Sequence, residues 1–319
     1  MATYLIRRLL LGIVSLLVGS CLVFFAVMDS AGDPRERLVL CDGCDQSAYD
    51  VQAERYKLDE PFPVQYGFWM YRAASGDIDP ASSQGERSIP GVVVGRLANT
   101  ALLVVPAWLI ATAISATLAS RWVRRPRGLG STVGTVATSW SLVVPTFVTG
   151  LLFQSAAVVV FDRWGVRPFQ TQGMDRSSIA GLVSAGFLPT LTLTASIIAR
   201  RYMPLRSALK QAWSDPSISA ARARGIPEKT LLWRHALRLT TGTFATVTWF
   251  EAGLLIGGTA VVETVFSWPG IGLLIVDSIG NVDVELALVL GISSLSFSLL
   301  VGIVVDMAHA ALDPRVRDS

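Results

Sequence analysis

Ser214–Arg238, SDPSISAARARGIPEKTLLWRHALR, is a basic stretch rich in small residues, set between two long apolar runs. Asp215 can cap a helix that has Pro216 at its first position, and Gly225 can end it. A second helical stretch starts at Pro227. Ala220, Ala221, Ala223 and Gly225 leave backbone accessible, as a helix needs when it slots closely into a groove on another protein. A polar, charged segment bounded by membrane-length apolar runs reads as a loop between two spans, and that decides the fold.

Working outward, 51% of the 319 residues are hydrophobic and only 16% are charged; the mean hydropathy is +0.50. This is too apolar for a soluble protein of this size, and the apolar residues come in blocks. A span needs ~20 predominantly apolar residues. Uncharged runs that satisfy this are Leu9–Met28, Leu97–Ser120, Gly128–Phe161, Ser177–Ala199 and Leu286–Val305, and a sixth, Thr240–Val262, is interrupted only by Glu251. The expectation is an all-α polytopic membrane protein with six transmembrane helices. The first run is too long for most signal-peptide cores and lacks a small-residue cleavage site, so it reads as a retained helix.

Orientation follows from Lys and Arg in the short loops. Arg7 and Arg8 precede the first span, and Arg121, Arg124, Arg125 and Arg127 follow the second. Nine bases between Arg200 and Arg238 face only Asp215 and Glu228. The segment between the fifth and sixth spans carries Asp277 and Asp283 and no base. These asymmetries agree on both termini in the cytosol. The net charge of +3 thus reflects membrane orientation, with the bases facing anionic lipid, and no stacking aromatics point to nucleic acid. Residues 1–29 then form a cytosolic tip and first span, 30–96 an extracytoplasmic segment, and 97–319 a five-helix core with the basic loop at 200–238.

The outer segment is acidic, with eleven Asp and Glu against seven Lys and Arg. Cys41-Asp-Gly-Cys44 can close a small disulfide loop in an oxidising compartment, remain as thiols, or contribute to a metal site that needs further ligands. Tyr66, Phe68 and Trp69 are placed to lie at the membrane interface. Within the spans, Pro106, Pro145, Pro189 and Gly257-Gly258 mark places for kinks or unwinding, tolerated only against protein or a wet cavity. Val262–Gly272 reads VETVFSWPGIG: Pro269-Gly270 stops a helix and turns the chain, and Leu273–Ile279 is too short to cross, so it reads as an outer, partly re-entrant helix. Glu251 is the ionisable residue deep in a span; it either lines a wet path or packs against a neighbouring helix through a hydrogen bond. Asp306 and His309 read as anchors at the end of the last span.

The basic loop resembles the EAA loop of binding-protein-dependent ABC importer permeases, in the "RTARAKGL…RHALR" version of the dipeptide and oligopeptide systems. Ala220, Ala221 and Gly225 fall on that motif's alanines and glycine, while Ser219 stands where the general motif has glutamate. Residues 262–272 are similar to the "VVETVFxWPGxG" string of the same permeases, and Lys57–Tyr66 with Gly76-Asp77 to their "GLDxPxPVQY…GDxG" segment. Tyr4, Arg7, Arg8, Gly32-Asp33-Pro34 and Leu312–Arg315 extend the likeness to both ends. At Asn99-Thr100 the family usually has proline before the threonine, and at Glu251 often glutamine.

The resemblance implies a type I ABC importer permease fold in a bacterial plasma membrane. It implies a homologous second permease, two cytosolic ATPase subunits or domains that bind the ATP and Mg, an extracytoplasmic binding protein, and a peptide cargo. A nickel or haem ligand is the alternative cargo. Asp215, Ala220, Ala221, Arg222 and Gly225 are the expected coupling residues; Glu251, Glu263, Phe266, Trp268, Pro269 and Gly270 the expected path or outer-gate residues.

Other classes fit less of the chain. There is no GxxxxGK[ST] loop for ATP, and the two histidines, His235 and His309, form no pair with metal-ligand spacing. An intramembrane serine protease would need a serine packed beside His309, without a nucleophile motif. A secondary transporter would be supported by inverted repeats, which the two halves lack.

Overall fold

Outward-facing leucine and valine set the architecture. Leu10, Leu11, Val14, Val18 and Leu22 on the first helix are all about half exposed or more, and so are Val158, Val159, Ile179 and Val183 further on. Backbone hydrogen bonds closed within each helix let such faces stand in lipid or against another membrane helix.

The computed structural model describes residues 2–30, 54, 57, 59–75, 89–124, 132, 134–136, 138–139, 143–166, 169–280 and 284–312. Among them no residue is in a strand. The helices are α1 (Ala2–Ser30), α2 (Phe62–Ser75), α3 (Ile89–Arg124), α4 (Thr146–Trp164), α5 (Ile179–Trp213), α6 (Pro216–Ala223), α7 (Thr241–Val265), α8 (Ile271–Gly280) and α9 (Val284–Leu312). A helical stretch at 228–239 links α6 to α7, and its middle part, Leu231–Ala236, is wound as a π-helix. Five described helices are long and apolar enough to cross a membrane: α1, α3, α4, α5 and α9. The sixth expected span falls on α7, which is 25 residues long. Cys41, Cys44, Gly32–Pro34 and Asp77 lie outside the described residues.

Two compact units are built from these elements. One comprises residues 6–96 and 274–297. Its core is Phe24, Val27, Trp69, Ala287 and Leu288. Phe24 meets the rings of Phe62 and Tyr66 edge-on at 5.6 Å, and the Tyr66 and Ser20 hydroxyls are 2.7 Å apart. Two of the aromatics expected at the lipid interface, Tyr66 and Trp69, take part in this core. Their rings pack inward, Trp69 being buried, because Phe24 and Ala287 offer apolar surface and Ser20 a polar partner. Gly291 leaves room for Val23, whose Cγ1 would lie 2.7 Å from an added Cβ, so a small residue sets the close approach of α1 and α9.

The other unit comprises residues 1–5, 97–273 and 298–319. Leu103, Ala107, Ala111, Ser115 and Ala119 recur every fourth residue on α3, and all are buried. Leu103, Ala107 and Ala111 share one core with Leu188, Leu193 and Ile197 of α5 and with Val262, Phe266 and Trp268. A second core joins Ala119, Tyr202, Leu205 and Leu209 to Ile218 of α6 and to Leu232 and Ala236.

The prolines behave differently from one another. Pro106 lies inside α3 and Pro189 inside α5, each helix continuing through a position that lacks a backbone N–H. Pro145 instead precedes the first residue of α4, with ψ 146°. The expected single run Gly128–Phe161 is therefore broken at Pro145, and its described spanning part is Thr146–Trp164. Gly257-Gly258 lies within α7, which is helical throughout.

Candidate functional site

The basic loop folds as its local signals require. Asp215 takes extended backbone angles, and its Oδ1 accepts the Ser217 N–H at 2.8 Å and the Ser217 hydroxyl at 2.5 Å. Pro216 fills the first helical position, where no N–H is needed. At the far end Gly225 has φ +78°. Its N–H bonds to the Arg222 carbonyl at 2.9 Å, and the Ile226 N–H to that of Ala221 at 3.3 Å. This pair of bonds is the Schellman closure, which needs a left-handed residue at that point. Arg222 then bridges the turn: its Nε donates to Glu228 Oε1 at 2.7 Å, and its guanidinium lies 5.1 Å from the Trp213 ring centre.

Ile218 and Ala221 face inward from α6, 1% and 2% exposed, whereas Ala220, Arg222, Ala223, Arg224 and Gly225 are exposed. The expectation of accessible backbone at all four small residues is corrected for Ala221. Three residues after Ile218, it shares the face that packs on the second core. The wider π turn at 231–236 carries Leu231, Leu232 and Ala236 inside. Both ionic groups of the loop respond to their partners: the Ser217 hydrogen bonds hold the Asp215 carboxyl below its ordinary value, and the Glu228 bond holds Arg222 above its own.

At the other end of α7, Glu263 is fully buried, and its carboxylate is shared between two elements. Oε1 accepts the Thr100 hydroxyl at 2.6 Å, and Oε2 accepts the Leu273 N–H at 2.9 Å. The first turn of α8 is thereby closed by a side chain of the helix before it, with negative charge at a helix N-terminus where it is favourable. Thr100 also receives the Ile271 N–H at 3.0 Å. Trp268 donates its ring N–H to the Asn99 carbonyl at 3.0 Å, and Asn99 donates Nδ2–H to the Pro269 carbonyl at 2.7 Å. Arg176 donates to Asn99 Oδ1, and the Gly173 N–H reaches the Phe266 carbonyl at 2.9 Å. Gly270 lies flush against Glu263, where a Cβ would run into the carboxylate. Glu263, Phe266, Trp268, Pro269 and Gly270 are thus gathered into one turn. Sequence reasoning missed Thr100 and Arg176; the departure at Asn99 was the available signal.

Glu251 is 1% exposed, and it faces a cation. Arg201 Nε and Nη2 both lie 2.5 Å from Glu251 Oε2. The same guanidinium donates to Thr112 Oγ1 and stands over the rings of Trp108, at 4.5 Å, and Phe244, at 5.4 Å. Of the two arrangements expected for Glu251, this structure has the packed one, with the carboxylate in an ion pair to a neighbouring helix. Sequence reasoning missed Arg201 because it counted Arg200 and Arg201 as loop bases after a span ending at Ala199, whereas α5 continues to Trp213. A carboxylate in the middle of an apolar run was itself the signal that a partner should be sought.

The sequence pattern of the family described as "Binding-protein-dependent transport system inner membrane component" matches residues 101–318. The chain is similar over its length to the glutathione transport system permease protein of Escherichia coli, 31% identical over 325 residues that cover 99% of each chain. It is also similar to the oligopeptide transport system permease protein of Bacillus subtilis, 28% identical over 321 residues, 99% of this chain and 100% of the other. A putative peptide permease protein of Brucella suis is 27% identical over 322 residues, 99% of each.

Proposed function

This chain belongs to the binding-protein-dependent transport system inner membrane components, and from that premise we propose that it forms half of the translocation path of an ATP-driven peptide importer. It is a multi-pass membrane protein and a transport subunit of a binding-protein-dependent system. Peptide cargo is supported by full-length likeness to permeases named for oligopeptides and for glutathione, itself a peptide. The rest of the assembly is a homologous second permease, two ATPase subunits or domains that bind ATP and Mg, and an extracytoplasmic binding protein. Both termini are cytosolic, and the exposed bases among residues 210–238 face the ATPase and anionic lipid.

The observation that carries this reading is α6. It is a short helix closed at both ends, anchored by Ile218 and Ala221, with Ala220, Arg222, Ala223 and Arg224 turned outward. Such a helix is a rigid plug for a groove on a partner. ATP-driven closure of the motor moves α6, and the bundle alternates between two accessible states as a rigid body. The turn at 263–273 serves as the outer gate, its Glu263 and Pro269-Gly270 holding α8 in place. Replacing Ala220 and Ala223 by Trp blocks the groove contact without entering the core. Uptake of dialanine by cells carrying that chain falls roughly tenfold or more at matched membrane levels, a coupling loss in the usual range. Undiminished uptake removes the docking role from α6.

A further inference from the structure

One guanidinium gathers three helices. Arg201 of α5, 1% exposed, is bonded to Glu251 of α7 and Thr112 of α3, and it is flanked by the rings of Trp108 of α3 and Phe244 of α7. The two rings also meet each other, edge-on at 6.4 Å. Stability alone does not call for such a node. A buried ion pair is often matched or bettered by apolar residues of the same volume, because desolvation consumes the Coulombic gain. A planar guanidinium does what leucine packing does not: its edge and face are directional, so it sets the rotation of α5 against α3 and α7 together.

The place of the node along the chain matters as well. From Arg201 the helix runs without a break to Trp213. Only Ser214 and Asp215 separate it from α6. Ile218 of α6 packs in one core with Leu205 and Leu209 of α5, and Arg222 covers Trp213. Any thrust on α6 is therefore delivered to α5 over about the last two helical turns.

We propose that Arg201 is a positioning residue that makes α3, α5 and α7 one mechanical body, so that displacement of α6 reaches the core undiminished. This rests on the reading that α6 takes the thrust of a partner ATPase. Arg201→Met alone leaves a buried carboxylate unpaired, so the informative variant is Arg201→Met with Glu251→Leu, which removes both charges and keeps the volume.

With Cys21, Cys41 and Cys44 replaced by Ser, spin labels at exposed Lys229, just past the Arg222–Glu228 bridge, and at Val261 report the distance from the α6 loop to α7 by pulsed electron resonance. In the wild-type complex that distance is the same at rest and with ATP trapped by vanadate. In the double variant the subunit still assembles, but the distance shifts or broadens on trapping, and dialanine uptake per ATP hydrolysed drops roughly fivefold or more. Arg201→Lys, which keeps charge without the plane, falls between the two. Identical distances and uptake in wild type and double variant overturn the proposal, as does a wild-type distance that changes on trapping. If no ATPase copurifies with the wild-type chain, the importer reading fails instead. The node is then judged on the resting chain alone, where equal distance widths in the two proteins overturn it.

Discussion

Helix α7 carries two buried glutamates, and their surroundings are opposites. Glu263, near one end, is held by neutral donors: a threonine hydroxyl and a backbone N–H from the turn that follows. Glu251, about three turns earlier, is held by a guanidinium from another helix. The first arrangement ties the first turn of α8 to Thr100 of α3 through neutral hydrogen bonds. The second joins α5 to α7 through a charge pair, and each partner depends on the other to be tolerated in the interior. One glutamate is satisfied without a countercharge; the other is not.

Removing one partner should therefore cost most at Glu251. Glu251→Leu strands a buried guanidinium and is expected to destabilise the chain by about 3–5 kcal/mol, read as a lower thermal midpoint of the detergent-solubilised subunit. Adding Arg201→Met should recover most of that loss. Equal midpoints for the single and double variants would break the comparison.

At Glu263 the expected cost is smaller. Glu263→Gln keeps an oxygen for Thr100 but turns an N–H₂ toward the Leu273 N–H, a mismatch of about 2 kcal/mol. A midpoint lower than that of Glu251→Leu would reverse the ranking.

Gly270→Ala sharpens the description of the turn. Its methyl meets the Glu263 carboxylate, so it should cost ~1 kcal/mol in the wild-type chain and be close to neutral once Glu263 is Ala. A double-mutant cycle measures that coupling, and additive effects would mean that the two residues do not touch.

The smallest effect belongs to a third, exposed carboxylate. Asp215 has its folded value held below 3.8 by Ser217. Its contribution to capping α6 is thus complete above that ordinary value and is lost as pH falls through the lowered one. Amide exchange at Ser217, compared with Asp215→Ala at each pH, should differ most at neutral pH and converge on the acid side; equal exchange at neutral pH would contradict the cap.

Local chemistry was legible in the sequence, and long-range pairing was not. Asp215, Pro216, Gly225 and Pro227 announce α6 and both of its ends, since each acts on backbone within a few residues of itself. Apolar runs likewise announce the spans. Arg200 and Arg201 misled because a charge after an apolar run usually ends a span, whereas arginine is a good helix former and α5 simply continues. Ala221 misled because composition cannot say which way a short helix faces; Ile218, one turn earlier, is what turns it inward. Tyr66 and Trp69 carry the composition of an interfacial belt, and only the position of Phe24 and Ser20 draws them inside. Thr100 and Glu263, 2.6 Å apart, are separated by most of the core in sequence.

The length of α5 has a consequence for the ionic surroundings of α6. Ile179–Ala199 is about 31 Å of helix, enough to cross the hydrocarbon, and residues 200–213 add about 21 Å beyond it. α6 packs back along that added length, Ile218 against Leu205 and Leu209. Arg224, and Arg222 beyond its bond to Glu228, stand exposed on this extension.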